Sequence, residues 1–383
     1  MVSHILKDCT SLESSQGSSS GLKSPFHHVN DHHYREMKAS EIADDIIELN
    51  IESCGESRAY SNLLYSDKFS RRNGGRLRDR DLKKYQHLIH GGWWCGAGED
   101  LLNLGEQSLW GCFKPDKPRQ DRTKPDKNKR IKYETPPKEP TSVFALNVPP
   151  KIAAQILGPY GFDPEGNQTF WRFVIDNTIV PIVITEGAKK GAALLSNGSV
   201  AIALPGVYNG YRSIKDGNGK VIKRDLIPEL KAIAGKGREI YLAFDKDAKL
   251  STKRGVDAAT WQTGRLLKAE GCKVGIISWD NAKGKGCDDL IFNHGKEAFD
   301  EAFAKAVPLD VWKARQLSVL SYPANIQLNR EYIGELDIPE GERLVAIKSP
   351  KGTGKSSSIA PIVQKAIAQG KKVLLPTHRI QLA

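Results

Sequence analysis

The sequence has few cysteines and no long apolar run, and each shortage excludes a class of protein. The six cysteines include no Cys-x-x-Cys pair, which argues against a disulfide framework or a zinc ribbon and fits reduced thiols. No apolar run approaches the ~18 residues that a membrane-spanning helix needs, and no signal peptide is evident. We therefore expect a soluble, cytoplasmic protein without a membrane partner. The cysteines are Cys9, Cys54, Cys95, Cys112, Cys272 and Cys287.

Positive charge, in contrast, is in excess. The chain of 383 residues has a formal net charge of +12 and a sequence pI near 9.2. This balance suits a polyanionic partner, most simply DNA, although it also serves solubility alone. Because the length exceeds that of one comfortable core, we expect two or three domains.

Residues 1–40 are predicted to be a disordered tail. The stretch Ser11–Ser24 is rich in Ser and Gly and poor in large apolar groups, so burial cannot offset the entropy that ordering costs. His27, His28, His32 and His33 cluster nearby. Without a packed scaffold or cysteine partners, we interpret these histidines as part of a polar tail rather than as a metal site.

Residues 41–150 are rich in aromatic and basic side chains. Arginines crowd Ser70–Arg78, a tryptophan pair follows in Gly91–Cys95, and lysines and arginines dominate the run from Trp110 to Glu134. Cations interleaved with rings are typical of single-strand binding, because charge meets phosphates and rings stack on bases. Alternatively, the tryptophans form a small core and residues 114–138 form a solvated linker. The sequence does not predict the fold of this region.

Residues 151–310 alternate short apolar runs with helical patterns. Strands are predicted at Val180–Thr185, Val200–Leu204, Glu239–Phe244 and Val274–Trp279. Helices are predicted at Gly187–Ser196, Leu226–Ala234, Val256–Glu270 and 289–294. Strands alternating with helices of this length indicate a parallel, Rossmann-like sheet with right-handed crossovers.

Acidic residues end two of these predicted strands. Glu186 follows one strand; Asp245 and Asp247 follow another and share a face while the chain is extended. Ligands of open α/β sheets bind beyond the carboxyl ends of the strands. Mg²⁺ prefers carboxylate oxygens and completes its shell with water and phosphate. Singly, each acid is better explained as a helix cap or loop residue, but their order and spacing together predict a Mg²⁺ site for phosphoryl transfer.

Lysines lie near these acids in the sequence. Lys189 falls in the first turn after Glu186, where the helix dipole favours anions, so it either steadies a phosphate or is a surface lysine. The stretch Lys283–Leu290 follows the last predicted strand and is interpreted as the rim of the same site, with Lys285 as a second phosphate partner. Asp288 is alternatively the N-cap of the helix at 289–294.

Residues 311–383 contain a glycine loop between an apolar run and a helical pattern. Leu344–Lys348 predicts a strand and Ser357–Ala368 a helix on either side of Ser349–Ser356. In such a loop the backbone amides cradle phosphates, the lysine reaches the β/γ-phosphates and the serine holds Mg²⁺. Ser349 replaces the first glycine of the pattern. ATP is predicted to bind at Gly352, Thr353, Gly354, Lys355 and Ser356, with Ser356 also a metal ligand.

The sequence ends at Ala383, soon after this loop. A P-loop ATPase also needs a later acid to place Mg²⁺ and water, and further strands to bury its first one. We therefore expect an incomplete, truncated P-loop domain, in which ATPase and helicase activity are unlikely.

These patterns resemble known families. A Glu-Gly after one strand and an Asp-x-Asp after a later one resemble the TOPRIM domain of bacterial primases, topoisomerases and some nucleases. Ser349–Ser356 resembles motif I of superfamily 1 and 2 helicases, and Lys371–Arg379 resembles motif Ia. Residues 40–383 resemble the cyanobacterial plasmid replication protein family. That likeness is carried by Gly91–Trp94, Phe113–Asp116, Ile131–Glu134, Thr185–Lys190, Phe244–Asp247, Lys285–Asp289 and the P-loop.

The resemblance implies an α/β fold, in which a Rossmann-like TOPRIM sheet is joined to a helicase-type P-loop domain, and a primase-type replication protein acting on plasmid DNA. It implies Mg²⁺-dependent nucleotidyl transfer from nucleoside triphosphates. Glu186 would act as general acid/base or metal ligand, Asp245 and Asp247 as metal ligands, and Lys189 on phosphate. A non-catalytic scaffold that binds origin or single-stranded DNA, and a TOPRIM nuclease, remain alternatives. The sequence does not give the template preference or the oligomeric state.

Overall fold

The computed structural model describes residues 21–121, 129–245, 249–316, 325–328, 330–338, 341, 345–350 and 352–374. The chain divides into two compact units, Met1–Val311 and Trp312–Ala383. The boundary predicted near residue 150 therefore falls inside the first unit. In the described part of the chain, no helix is both long enough and apolar enough to cross a bilayer.

Helices occur along the whole described chain. In order they are α1 (Asp31–Lys38), α2 (Asp44–Asn50), α3 (Glu56–Leu63), α4 (Asp79–Lys84), α5 (Pro150–Leu157), α6 (Phe170–Asp176), α7 (Ala188–Ser196), α8 (Pro228–Ile233), α9 (Leu250–Ala269), α10 (Cys287–His294), α11 (Lys296–Ala304), α12 (Leu309–Gln316) and α13 (Lys355–Ala368). The strands are β1 (Ile51–Cys54), β2 (Gly92–Gly96), β3 (Gly111–Pro115), β4 (Ile182–Glu186), β5 (Ala201–Leu204), β6 (Tyr211–Lys215), β7 (Val221–Leu226), β8 (Glu239–Ala243), β9 (Lys273–Ile276) and β10 (Val307–Pro308).

A five-stranded sheet in the order β10-β9-β8-β4-β5 forms the centre of the first unit. Strands β9, β8, β4 and β5 pair in parallel, and β10 adds an antiparallel edge. The apolar runs that predicted these strands are buried, with every residue of Ala201–Leu204 at 0% exposure. Strands buried on both faces are typical of parallel sheets covered by helices. The predicted parallel α/β sheet is confirmed.

A three-stranded antiparallel sheet, β1-β2-β3, lies in the N-terminal part of the same unit. Trp94 and Phe113 pack in its apolar core. Trp93 and Trp110 are also buried, at 1% and 4% exposure. The interpretation of these tryptophans as stacking platforms for bases is therefore wrong, because their rings serve as core and are not available to a ligand.

The segment that contains Phe144 and Ala145 connects the small sheet to the large one. Phe144 and Ala203 exchange backbone hydrogen bonds of 2.8 and 3.1 Å, and Ala145 N–H donates to Ala97 O at 2.8 Å. These bonds satisfy backbone groups of β5 at the edge of the large sheet, and they link that edge to Ala97 in the N-terminal region. The two regions predicted as separate domains consequently share one unit.

The prediction of a disordered tail is wrong for residues 21–40. Helix α1 buries Tyr34 and Met37, which are three residues apart and so share one helical face, and Val29 before the helix is also buried. Packing of these three apolar side chains orders a stretch whose other residues are mostly polar. Residues 1–20 lie outside the described part of the chain.

The hairpin of β6 and β7 has no counterpart among the predicted strands. Its strands pair antiparallel from Tyr211–Leu226 to Lys215–Val221. Most of their side chains are exposed, so burial leaves no alternating pattern in the sequence. The turn residues Asp216–Gly219 were the signal that could have indicated a hairpin.

In the second unit, the predicted helix after the glycine loop is observed as α13. The strand predicted at Leu344–Lys348 is wrong for the described residues 345–348, which have no strand pairing. Val345 is 47% exposed, and Leu374 in the predicted motif Ia strand is 86% exposed. A strand needs a partner ladder for its backbone groups, and the described residues around these two supply none.

Candidate active site

Two of the predicted acids, Glu186 and Asp245, lie at the carboxyl edge of the large sheet. Strands β4 and β8 are parallel neighbours in which Thr185 is paired with Ala243, and Thr185 Oγ1 donates to Ala243 O at 2.8 Å. Glu186 ends β4, and Asp245 lies two residues beyond the end of β8. Neighbouring strands are about 4.8 Å apart, so this register brings both carboxylates to one rim.

The charges of Glu186 and Asp245 affect each other's surroundings at this edge. Burial raises the pKa of Glu186, and the charge of Asp245 raises it further, while Lys190 and Lys285 act to lower it. Burial likewise raises the pKa of Asp245 against the opposing effect of Lys190. Each carboxylate is thus held partly out of water beside another negative charge, which makes its ionised form costly unless a cation is near.

Lys190 supplies part of that positive charge. Its Nζ lies 3.1 Å from Asp245 Oδ1. Burial alone acts to lower the pKa of Lys190, but Asp245 and Asp288 reverse this and the net shift is upward, so the ammonium stays charged. Gly286 leaves room for this side chain, because a Cβ there would stand 2.4 Å from Lys190 Cε and 2.3 Å from Asp288 Oδ1.

Two carboxylate oxygens in this cluster are suited to accept a further ligand. Asp288 Oδ1 is buried and accepts no hydrogen bond within the described part of the chain, whereas the buried Asp245 Oδ1 lies 3.1 Å from the ammonium of Lys190. Buried polar atoms normally have partners. Carboxylate oxygens without partners fit a hard cation such as Mg²⁺, which Glu186, Asp245 and Asp288 would hold together with water and phosphate.

The acids do not form a closed metal cage. In the described residues, the oxygens of Glu186, Asp245 and Asp288 are not all within 4.8 Å of one another. Asp247, the third predicted ligand, lies outside the described residues. An open, partly hydrated site is the usual form for Mg²⁺ that binds together with a substrate phosphate.

Lys189, predicted to steady a phosphate, points elsewhere. Its Nζ lies 3.1 Å from Glu36 Oε1 and 3.2 Å from Ser40 Oγ, both in the N-terminal region. Ser40 Oγ in turn donates to Asp288 Oδ2 at 3.3 Å. The lysine beside the acids is therefore Lys190, and the exposed Lys285 acts on both Glu186 and Asp245 through its charge.

Asp288 lies beside the acids, in the stretch Lys283–Leu290 that was interpreted as the rim of the site, whereas the place of Glu36 was not predicted from the sequence. The structure does not support Asp288 as a helix N-cap, because Gly286 occupies that position and its N–H donates to Asp289 Oδ2 at 3.0 Å. Glu36 accepts from Lys114 Nζ at 2.7 Å and from Trp93 Nε1 at 3.1 Å. Nothing in the sequence signals that Glu36 meets residues so distant in the chain.

The glycine loop of the second unit surrounds its lysine. Lys355 Nζ donates to Ser349 O at 2.9 Å and to Pro350 O at 2.7 Å. Gly352 and Gly354 have φ angles of +87° and +79°, the left-handed region that favours glycine. Thr353 Oγ1 donates to Pro350 O at 3.0 Å, and Ser356 lies in the first turn of α13. Nucleotide binding by this loop stays a prediction.

A surface depression of about 560 Å³ elsewhere on the first unit contains none of the predicted residues. It is lined by Leu104, Gly105, Asn167, Gln168, Thr169 and Arg172. Its lining offers a single formal charge and no acid, so it does not compete with the acidic rim as a metal site.

Comparisons with known proteins identify one family model and one curated relative. Residues 170–298 match the model described as "Domain of unknown function (DUF3854)". An uncharacterized protein of Picosynechococcus sp. (strain ATCC 27264 / PCC 7002 / PR-6) is 42% identical over 365 residues, which are 93% of this chain and 36% of the relative. The chain thus spans about a third of the length of this relative.

Among solved structures, bacterial primases overlap this chain in part. The Aquifex aeolicus primase (zinc-binding and RNA polymerase domains) has 14% identity and a TM-score of 0.43, covering 75% of this chain and 58% of that one. The DnaG primase catalytic domain bound to ssDNA has 13% identity and a TM-score of 0.43, covering 74% of each chain. The RNA polymerase domain of Mycobacterium tuberculosis DnaG has 12% identity and a TM-score of 0.42, covering 74% and 78%.

Proposed function

We propose that the first unit is a Mg²⁺-dependent nucleotidyl-transfer module of the primase type that acts on DNA in replication. The observation that carries this proposal is the pair Glu186 and Asp245, which are partly buried at the ends of neighbouring parallel strands and have raised pKa values. The neighbouring Asp288 adds a buried oxygen that accepts no hydrogen bond in the described chain. Structural carboxylates are seldom kept under such conditions without a ligand.

The acids and lysines at this edge of the sheet would have different roles in nucleotidyl transfer. Bound Mg²⁺ would supply charge stabilisation for the attacking and leaving oxygens of a phosphoryl group. The pKa of Glu186 is raised toward the neutral pH range, so this carboxylate would accept a proton from an attacking hydroxyl or would serve as a ligand of Mg²⁺. Lys190 balances the charge of Asp245 and Asp288, and the exposed Lys285 is placed to meet the phosphates of an incoming nucleoside triphosphate.

Exposed basic surfaces support a DNA partner. Arg71, Arg72, Arg76, Arg78 and Arg80 are all exposed. The hairpin β6–β7 presents Arg212, Lys215, Lys223 and Arg224. Tyr208, 53% exposed, follows β5 at the same edge of the sheet as Glu186 and offers a ring for base stacking. Binding through such charges falls steeply as salt rises.

A non-catalytic DNA-binding scaffold is the second candidate. It is favoured by the ion pair between Lys190 and Asp245, because an ammonium already occupies part of the space that a metal ion would use. In that case the acids and Lys190 form a structural cluster, and the basic surfaces carry the function. DNA binding would then be independent of divalent cations.

The finer parts of the proposal concern the second unit and the biological setting. We propose that Gly352–Ser356 binds ATP with Mg²⁺ and that the chain takes part in plasmid replication, as its motifs resemble those of plasmid replication proteins. The proposal is supported by the position of the Lys355 ammonium within the loop, where it donates to the carbonyl oxygens of Ser349 and Pro350. Unchanged binding of a fluorescent ATP analogue by Lys355→Ala would refute the nucleotide site.

Primer synthesis on a single-stranded DNA template tests the nucleotidyl-transfer proposal. With Mg²⁺ and nucleoside triphosphates, the wild-type chain should extend or initiate primers, and Glu186→Gln and Asp245→Asn should each lose at least about a hundredfold in rate. Glu239→Gln is the matched control, since Glu239 is exposed at the opposite end of β8 and should leave the rate unchanged.

The alternatives give different results in the same assay. Wild-type rates in both acid variants would overturn the proposal. No product from the wild type, together with salt-sensitive DNA binding that EDTA does not change, would identify the scaffold. Degradation of labelled DNA with Mg²⁺ in the absence of triphosphates would identify a nuclease.

A further inference from the structure

Helix α1 brings two adjacent histidines to one aspartate at the end of β3. His33 Nε2 lies 2.9 Å from Asp116 Oδ1, and His32 Nε2 lies 3.6 Å from the same oxygen. One ligand atom from each of the three residues lies within 4.8 Å of the others, and in the described chain no other group of three or more His, Cys, Asp or Glu residues meets that condition. The rim at Glu186 is a separate place in the fold.

The separations fit a shared metal ion, and a hydrogen bond explains only one of them. Ligand atoms about 2.0–2.1 Å from a Zn²⁺ ion are roughly 2.9–3.6 Å apart for bond angles between 90° and 120°. Both distances to Asp116 Oδ1 lie in that range. A hydrogen bond accounts for His33 alone, whereas the ring of His32 stacks 3.8 Å from that of His33 with its Nε2 directed to the same oxygen.

A further contact fixes the orientation of His33. Its ring is buried, and its Nδ1 lies 2.7 Å from Ser53 Oγ. That hydroxyl oxygen accepts from Asn30 N–H. In the tautomer in which it also accepts Nδ1–H of His33, the electron pair of Nε2 is free for a metal ion; in the other tautomer, Nε2–H donates to Asp116. Metal-binding histidines usually donate their second ring nitrogen as in the first tautomer.

We propose that His32, His33 and Asp116 bind a divalent transition-metal ion of the Zn²⁺ class that fastens α1 to the end of β3. Two imidazoles and one carboxylate suit Zn²⁺, Co²⁺ or Ni²⁺, whereas Mg²⁺ prefers oxygen ligands throughout. Asp116 and His32 are partly exposed, with side-chain exposures of 37% and 52%, so an ion can enter and water can complete its shell.

The ion would act on the neighbouring network through the helix. Glu36 lies one turn after His33 on α1 and contacts Lys114, Trp93 and Lys189. A metal that ties α1 to β3 therefore holds Glu36 against these partners. This role is positional and does not depend on the nucleotidyl-transfer proposal.

Titration of the full chain with Co²⁺, a spectroscopic substitute for Zn²⁺, tests the site. Excess Mg²⁺ is present throughout to occupy the acidic rim. The wild type should bind one Co²⁺ with visible d–d absorption and no thiolate charge-transfer band. His32→Ala and Asp116→Asn should bind it more than about tenfold more weakly. Asp116→Asn keeps an acceptor for His33 and so separates metal binding from the hydrogen bond, and the exposed His27→Ala is the control.

A second measurement guards against variants that fail to fold. In EDTA, His32→Ala should unfold at the wild-type temperature because His32 is half exposed, and added Zn²⁺ should raise the unfolding temperature of the wild type but not of the variant. The site is refuted if the wild type binds no Co²⁺, if the variants bind it as tightly, or if a thiolate band assigns the ion to cysteine.

Discussion

At the scale of single residues, the two lysines after Glu186 show what local geometry decides. Lys189 and Lys190 are adjacent in sequence, and successive residues of a helix point about 100° apart. Gly187, with a φ of +89°, turns the chain so that α7 begins at Ala188, and this start directs Lys190 to Asp245 and Lys189 to Glu36. The sequence analysis predicted Lys189 at the acids, whereas Lys190 lies there, because a one-residue shift in the helix start exchanges the two.

Glu186→Gln is expected to raise the free energy of unfolding by about 1 kcal/mol at neutral pH in EDTA. The pKa of Glu186 is raised in the folded state, so folding favours its protonated form, and wild-type stability falls as pH rises from the ordinary carboxyl range through the raised value. Glutamine removes that loss. Thermal unfolding across pH should show an advantage at neutral pH that vanishes in acid, where Glu186 is protonated in both states.

Mg²⁺ should make the wild type more stable than Glu186→Gln, the opposite of the order expected in EDTA. Added Mg²⁺ should raise the unfolding temperature of the wild type more than that of Glu186→Gln, because only the wild type keeps both carboxylates. Glu239→Gln on the same sheet should show neither effect. Equal stability of wild type and Glu186→Gln at every pH would contradict the raised pKa.

At the scale of elements, burial explains which predictions succeeded. Strands β4, β5, β8 and β9 are apolar runs buried in a parallel sheet, and their observed bounds lie within three residues of the predicted ones. The hairpin β6–β7 is exposed, so its residues show no burial pattern. Helix α1 was missed because only Tyr34 and Met37 of its eight residues supply an apolar face.

Glu36 links helix α1 to β2, β3 and α7 through its contacts with Trp93, Lys114 and Lys189. Burial acts to raise the pKa of Glu36, but Lys114, Lys189 and Trp93 together lower it, so Glu36 contributes stability above the ordinary carboxyl range that is lost in acid. Glu36→Gln should lower the free energy of unfolding by about 1–3 kcal/mol at neutral pH, since two lysines lose their counter-charge. We expect the lower part of that range, because the Glu36 side chain is 24% exposed and solvent screens its ionic contacts.

Denaturant unfolding at several pH values checks this prediction. The difference between wild type and Glu36→Gln should shrink as pH falls through the lowered pKa of Glu36. Glu48→Gln on α2 is a suitable control, because Glu48 is exposed and should change stability by less than about 0.5 kcal/mol. A Glu36→Gln protein as stable as wild type at neutral pH would mean that the ionic contacts contribute little.

At the scale of the whole molecule, contacts distant in sequence join the N-terminal region to the candidate site. Ser40 meets Asp288, Glu36 meets Lys189, and Phe144 pairs with Ala203. Periodicity and turn signals act over short stretches, so they predicted the order of segments but not these contacts. The rim was predictable because the carboxyl ends of parallel strands must share one edge.

The most direct test of the acidic rim is a crystal structure of the full chain soaked with Mn²⁺, a substitute for Mg²⁺ with an anomalous signal. The account predicts an anomalous peak about 2.0–2.2 Å from carboxylate oxygens of both Glu186 and Asp245, and its loss in Asp245→Asn. A map without a peak at this edge, in which Lys190 remains the sole cation on Asp245, would contradict it.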